Sequence, residues 1–275
     1  VDTLPPTITL DNLTSDNIIN AAEAQQDLAV SGTSNAQAGQ TVTVTLNGKS
    51  YQTTVQTDGT WTLNVPAADV GALVDGTVTV TATVSDVAGN SSSADRVGLV
   101  DATVPQVTIN DFVTDTNTVN QIAHSQAQIL SGSVTGAAAG DLVTITINNV
   151  DSNTVVDAVG NWSLGLPASV VQGLADGTLT IDVSVTDQSG NTGSNSLDVV
   201  VNTVTPQIGI NILAADDVIN ATEKGEDLLL SGTSNQPDGT TITVTLNGIN
   251  YTATTDASGN WSVSVPASAV SALGE

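Results

Sequence analysis

The sequence predicts an all-β protein built as tandem β-sandwiches. Three observations carry this: a motif order that recurs roughly every hundred residues, apolar residues that alternate with a period of two, and turn-forming dipeptides between the alternating runs. Ser31-Gly32, Ser131-Gly132 and Ser231-Gly232 mark the recurrence, and Asn20, Asn120 and Asn220 keep the same spacing. Trp61, Trp162 and Trp261 follow in the same order, as do the Pro-Ala pairs at 66–67, 167–168 and 266–267.

Within a copy the elements follow in order. A short linker, Asp2-Thr3-Leu4-Pro5-Pro6, opens the first, and proline holds it extended. A first strand leads into a polar loop at residues 16–23. Val42, Val44 and Leu46 then alternate with Thr41, Thr43 and Thr45, which is the pattern of a half-buried antiparallel strand. Asn47-Gly48 turns the chain. Trp61, Leu63 and Val65 share one face, so the tryptophan is expected in the core and not on a sugar-stacking surface. After Pro66 one short helical turn is expected over 67–73. Asp75-Gly76 is a turn signal ahead of a strand in which Val78, Val80, Ala82 and Val84 alternate with threonines. Residues 86–90 (DVAGN) and 187–191 (DQSGN) form the last hairpin turn of their copies.

About seven short strands per copy is the pattern of an immunoglobulin-like sandwich. The domains expected are 1–100, 101–201 and 202–275. Glu275 aligns with Asp75, so the third copy lacks the counterpart of residues 76–100, and the chain is expected to be an excerpt of a longer polypeptide.

Composition narrows the function. The formal net charge is −25 with only three basic side chains, Lys49, Arg96 and Lys224. Nothing could neutralise phosphates, which argues against nucleic acid and against anionic lipid. No apolar run is long enough to span a membrane. The cores must be built from small β-branched residues, since only six aromatics occur in 275 residues. There is no Cys, so disulfides cannot brace the domains, and with a single His a zinc site is disfavoured. No nucleophile–base arrangement suggests itself, so an enzyme is not expected.

The joints between copies hold the acidic residues that matter. If the first strand runs from the leading to the trailing pole, the 16–23 loop lies at the trailing end. The 86–90 turn returns to the leading end. At the first joint Asp16, Asn20 and Glu23, the linker residue Asp101, and Asp187 with Asn191 are therefore expected to meet. Taken singly these elements also read as ordinary polar turns or a solvated loop. Brought together they would repel unless a hard cation sat among them, and calcium takes roughly six to eight oxygen ligands of this kind. Asp2, Asp86 and Asn90 form the matching set at the leading end of the first copy. Asp216, Asp217 and Glu223 form it, beside Asn220, in the third. The second joint is expected to bind calcium more weakly: His124 aligns with Glu23, Thr116 with Asp16, and Asn202 with Asp101. Asn202 remains there as a neutral ligand, and His124 is expected as an exposed loop residue.

The Asp-Thr-x-x-Pro linker, Asp-Asn-x-Ile-Asn-x-x-Glu, Leu-Asn-Gly, Gly-x-Trp and Val-Ser-Asp-x-x-Gly-Asn together resemble the tandem bacterial Ig-like domains of giant type I-secreted adhesins. The Salmonella giant nonfimbrial adhesin and Bap-type biofilm proteins have similar repeats. The resemblance covers the whole chain. It implies secretion, retention at the bacterial cell surface, many repeats in series, and calcium at the junctions that stiffens the rod. The partners it implies are neighbouring repeats, with a host surface or biofilm matrix reached through other parts of the protein. The expected function is an extender that projects a distal binding tip. A glycan-binding module is the alternative, for which Tyr51 and Tyr251 are the candidate aromatics.

Overall fold

The computed structural model describes residues 1–274, without the side chains of Thr114 and Asp115. Glu275, aligned above with Asp75, lies outside the described residues. The chain divides into two compact units, one up to Asn202 and one from Thr203 onward.

The first unit holds two sandwiches. In the first, the strands are β1 (Ile18–Asn20), β2 (Leu28–Thr33), β3 (Thr41–Leu46), β4 (Lys49–Thr54), β5 (Thr60–Val65), β6 (Gly76–Ser85) and β7 (Ser91–Asp101), with a helical turn α1 (Ala67–Val70) where Pro66 predicted one. One sheet has the order β1-β7-β6-β3-β4, and the facing sheet pairs β2 with β5. An isolated bridge, Ile8 to Ser34, ties the first stretch of chain to that second sheet. The second sandwich repeats the plan with β8 (Gln106–Ile109), β9 (Thr118–Asn120), helical turn α2 (Gln121–His124), β10 (Gln128–Thr135), β11 (Leu142–Ile147), β12 (Val150–Val155), β13 (Asn161–Leu166), helical turn α3 (Ala168–Val171), β14 (Gly177–Thr186) and β15 (Thr192–Asn202). Its sheets run β12-β11-β14-β15-β9 and β13-β10-β8. In the unit from Thr203 onward, β16 (Ile208–Ile210), β17 (Leu228–Ser234) and β20 (Asn260–Val265) form one sheet. The hairpin β18 (Thr241–Leu246) and β19 (Ile249–Thr254) forms another, and a last helical turn is α4 (Ala267–Val270).

The alternation fixes what is buried. Val42, Val44, Leu46, Val80, Ala82 and Val84 are at most 2% exposed, and the threonines between them face outward or half outward. All three tryptophans lie in the cores, at 1%, 2% and 2% exposure, one in each of three hydrophobic clusters. The repeated Ser-Gly explains itself here. A Cβ on Gly32, Gly132 or Gly232 would stand 2.7, 2.7 or 2.5 Å from Cζ2 of the tryptophan opposite, so only glycine leaves the notch the indole fills. The β3–β4 turn needs left-handed backbone at both central residues: φ is +49° and +74° at Asn47-Gly48, and +50° and +61° at Asn148-Asn149. Asparagine tolerates that region, which lets the second copy turn without glycine.

One element differs from the expectation. The loop foreseen at 16–23 contains a strand, because Ile18–Asn20 pairs with Leu99–Asp101, and the pairing is parallel. Thr118–Asn120 pairs in the same way with Val200–Asn202. The first part of each of the first two copies therefore begins on one sheet and crosses to the other, burying Ile19 and Val119 fully. Among the described residues no helix is long and apolar enough to cross a membrane.

Candidate metal centre at the first joint

Parallel pairing of β1 with β7 sets Asn20 directly beside Asp101. The chain then enters a tight turn in which two side chains cap each other. Asn20 Oδ1 accepts from the backbone N–H of Ala22 and Glu23, both at 3.0 Å, and Glu23 Oε2 accepts from the N–H of Asn20 at 3.1 Å. This reciprocal cap satisfies amides that would otherwise face the joint unpaired.

The turn at 187–191 approaches from the second sandwich. Asp187 shapes it, accepting from the backbone of Ser189 and Asn191 at 2.9 and 2.8 Å and from Asn191 Nδ2 at 2.9 Å. Three further bonds reach across the joint. Asn191 Nδ2 donates to the Asp101 carbonyl at 2.9 Å, Ala21 N–H donates to Asn191 Oδ1 at 2.7 Å, and Ser189 Oγ donates to Asp101 Oδ2 at 2.6 Å. Asn20, Glu23, Asp101, Asp187 and Asn191 thus belong to one network, with Asn191 4% and Ser189 7% exposed.

Asp16 stands apart. Its Oδ1 accepts from the Ile18 N–H at 3.0 Å and the Thr14 hydroxyl at 2.9 Å, four residues upstream of Asn20. Those bonds, the Ile18 amide first, hold its carboxyl below the usual carboxylate range. Asp16 shapes the approach to β1, as a side chain closing a local turn does.

Asp75, read from sequence only as a turn residue, holds the linker. Its Oδ1 accepts from Ala102 N–H at 2.8 Å and its Oδ2 from the Thr103 hydroxyl at 2.5 Å. The amide and then the hydroxyl lower its carboxyl pKa. The only sequence signal was an Asp before Gly, which any turn would share.

The leading end of the first copy has the same wiring. Asp86 accepts from Asn90 N and Nδ2, both at 2.8 Å, and Asn90 Nδ2 also reaches the Asp2 carbonyl at 3.3 Å. The Asn90 amide, ahead of the backbone bonds, lowers the Asp86 carboxyl. Asp2 Oδ1 accepts from Leu4 N–H at 3.1 Å. Ala88 occupies the place of Ser189, so the hydroxyl bond has no counterpart there.

Asn202 ends β15 beside Asn120, as Asp101 ends β7 beside Asn20. His124 is half-buried on α2, not an exposed loop residue, and its Nε2 lies 3.0 Å from the Leu174 carbonyl. In the unit from Thr203 onward, Glu223 and Asn220 rebuild the reciprocal cap. Asp216 closes a local turn on Val218 N–H at 3.0 Å, as Asp16 does on Ile18. Asp217 accepts from Leu213 N–H at 2.9 Å with a φ of +63°, the role and backbone of Asn17.

The donor set at the first joint is all oxygen, as a hard cation requires. Glu23 and Asp101 are linked through Asn20, while Asp187 turns its oxygens into its own loop. Among the described residues no three acids or histidines stand close enough to hold a metal ion by themselves. Residues that fit the ion are therefore Glu23 and Asp101, completed by amide and backbone oxygens.

Residues 10–104 match the family described as bacterial Ig-like domain. The chain is 32% identical to a solved structure from a 1.5-MDa bacterial ice-binding adhesin, over 98% of this chain and 90% of that one, with a TM-score of 0.44. It is 35% identical to a Ca2+-stabilised adhesin with which an Antarctic bacterium reaches out and binds ice, over 96% of this chain and 66% of that one, with a TM-score of 0.45. A single bacterial immunoglobulin-like domain of the M. primoryensis ice-binding adhesin is 39% identical over 34% of this chain and 96% of its own, with a TM-score of 0.28. No relative matches among curated proteins.

Proposed function

The chain belongs to the bacterial Ig-like domain family, and from that premise we propose that it is an extender segment of a large secreted surface adhesin, stiffened at its joints by calcium. The domains proposed are 1–100, 101–201 and 202–275. The observation that carries the reading is the network at the first joint, in which the turn after β1, the linker residue Asp101 and the 187–191 turn of the second sandwich are bonded together. A similar structure described as a Ca2+-stabilised adhesin supports the choice of ion.

When bound, the ion offsets the repulsion among the converging carboxylates. Glu23 and Asp101 are the charged ligands, with Asn20 and Asn191 beside them. Asp187 holds the turn that brings Asn191 forward. Asp75 fixes the linker so that Asp101 meets β1 in register. Asp2, Asp86 and Asn90 serve the preceding joint. Asn202 stands beside Asn120 where the first copy has Asp101 beside Asn20, and in the third copy Asn220 and Glu223 rebuild the reciprocal cap. Secretion by a type I machine and attachment through a distal tip complete the proposal.

The glycan-binding alternative lacks a platform. All six aromatics are buried or half-buried, and the Tyr51 hydroxyl is committed to Asp69 at 2.7 Å. No observation favours it or an enzyme.

The test is metal analysis of the dialysed chain with small-angle scattering in calcium and in chelator. Bound calcium and a maximum dimension that falls on chelation are the expected results. Absence of bound calcium, with identical scattering curves, would overturn the reading.

A further inference from the structure

We propose that the β3–β4 turn of the first copy and the β18–β19 turn of the third are sites of spontaneous covalent modification, where Asn47 and Asn247 convert to aspartate and isoaspartate while the matching turn of the second copy stays intact. The chain holds Asn-Gly at 47–48 and 247–248 alone. Glycine is there for the fold: φ is +74° at Gly48 and +78° at Gly248, following +49° at Asn47 and +48° at Asn247. The same glycine leaves its own backbone nitrogen unshielded, and a Cβ on either one would meet nothing within 4 Å. Asn47 and Asn247 are exposed, and neither side chain has a hydrogen-bond partner among the described residues. Asn90 and Asn195, each followed by a small serine, are held instead. Asn90 Nδ2 donates to Asp86 Oδ2 at 2.8 Å, and Asn195 Nδ2 donates to the Val107 carbonyl at 3.0 Å. Asn195 Oδ1 also accepts from the Ser196 N–H at 2.9 Å, which occupies the nitrogen that would attack.

The reaction consumes only water. The Gly48 backbone nitrogen gives its proton to water or hydroxide and bonds to Asn47 Cγ; the Cγ–Nδ2 bond breaks and ammonia leaves. Water then opens the cyclic imide. Opening at Cγ gives aspartate, and opening at the main-chain carbonyl gives isoaspartate, so each event adds one carboxylate to an already acidic chain. The turn must leave its left-handed backbone for the nitrogen to reach Cγ, and an exposed hairpin tip is where such local opening costs least. Isoaspartate carries the main chain through an extra carbon, which breaks the direct pairing of Leu46 with Lys49, or of Leu246 with Ile249. The second copy builds the same left-handed turn from Asn148 and Asn149, with φ of +50° and +61°. There the Asn149 side chain flanks the attacking nitrogen, and Asn149 itself is followed by β-branched Val150. One backbone geometry thus occurs in one chain with the reactive pair and without it. The modification depends on neither the extender reading nor the ion.

The full chain is incubated at neutral and at mildly alkaline pH. Conversion at each asparagine is read by peptide mass mapping, and isoaspartate is counted by enzymatic methylation of its free α-carboxyl. The expected result is conversion at Asn47 and Asn247, faster at the higher pH because the glycine nitrogen must lose its proton, with Asn90, Asn148, Asn149 and Asn195 intact. Gly48→Asn copies the turn of the second copy into the first. It is expected to abolish conversion at Asn47 and leave that at Asn247 unchanged. Asn149→Gly makes the reverse exchange and is expected to bring conversion to Asn148. Tryptophan-monitored melting checks that both variants fold, and the comparison of turns within the parent chain needs neither. Conversion at Asn47 and Asn247 no faster than at Asn148 in the folded parent overturns the proposal, as does conversion that occurs only once the chain is unfolded in urea. An unchanged rate at Asn47 in folded Gly48→Asn, or an intact Asn148 in folded Asn149→Gly, also overturns it.

Discussion

Gly132→Ala is the sharpest probe of how these cores are built. Gly132 sits on β10 opposite Trp162 on β13. A methyl group there would stand 2.0 Å from the Thr108 carbonyl oxygen, 2.7 Å from Trp162 Cζ2 and 2.8 Å from Cε2. Ordinary contact needs about 1.4 Å more on the backbone side, and neither neighbour can yield. Thr108 is fixed in a ladder with Ser133, and the indole is packed at 2% exposure. Overpacking of this kind costs about 3 kcal/mol at its upper end. For a domain of roughly a hundred residues that is a fall of roughly 12–24 °C in Tm. Gly165→Ala in the same sandwich is the control. Its Cβ meets nothing within 4 Å and its φ is not positive, so alanine there is expected to be neutral or to stabilise by up to ~1 kcal/mol. Calorimetry of the whole chain, with hydrogen exchange of peptides from 106–202 to assign the transition, measures both. A Gly132→Ala shift no larger than that of Gly165→Ala would refute the notch as the reason for the repeated Ser-Gly.

Two pH experiments follow from the carboxyl and phenol environments. Asp75 has its pKa lowered from 3.8 by the Ala102 amide and the Thr103 hydroxyl, so its hold on the linker is full above that value and is lost as pH falls through the lowered one. Asp75→Asn should remove this acid-side loosening of the first joint, read as the pH dependence of the maximum dimension in small-angle scattering; an unchanged profile would assign the loosening elsewhere. Tyr51 is pushed up to about 12 by burial and then by its bond to Asp69, so spectrophotometric titration should show one tyrosine ionising near that value. The stability this contributes is complete below 10 and is lost as pH rises through about 12. Tyr51→Phe should erase the late titration step, and its persistence would mean the wrong tyrosine was assigned.

Much of this fold was legible because period two is a strong signal over six-residue strands such as Thr41–Leu46 and Thr60–Val65. The tryptophans could be placed inward because their i+2 and i+4 neighbours are apolar. β1 was not legible: three residues cannot show a period, and its partner lies about eighty residues away in a parallel arrangement that no hairpin turn announces. The joint was legible as a meeting of three acidic segments. Which acid does what was not, because Asp16, Asp75 and Asp187 have equally plain sequence contexts. Their roles depend on whether a local amide or a linker amide is the nearest donor. His124 shows the same limit, since its partner Leu174 is fifty residues on.

The parallel pairing of β1 with β7 also determines how a sandwich meets a pulling force. Tension enters through the first strand region and leaves through the end of β7. On that path the antiparallel bonds of Thr9 and Asp11 to Thr33 and Ser31 hold the first region ahead of the parallel pair. The three paired positions from Ile18 to Asn20 lie along it, so they share the load and must slide together. Unfolding under force is governed by the barrier to that first sliding step and not by the equilibrium stability of the core. In a chain of such sandwiches every clamp in series bears the same tension, so the weakest clamp gives way first. The clamp of the first sandwich ends at Asn20, the residue where the first joint begins.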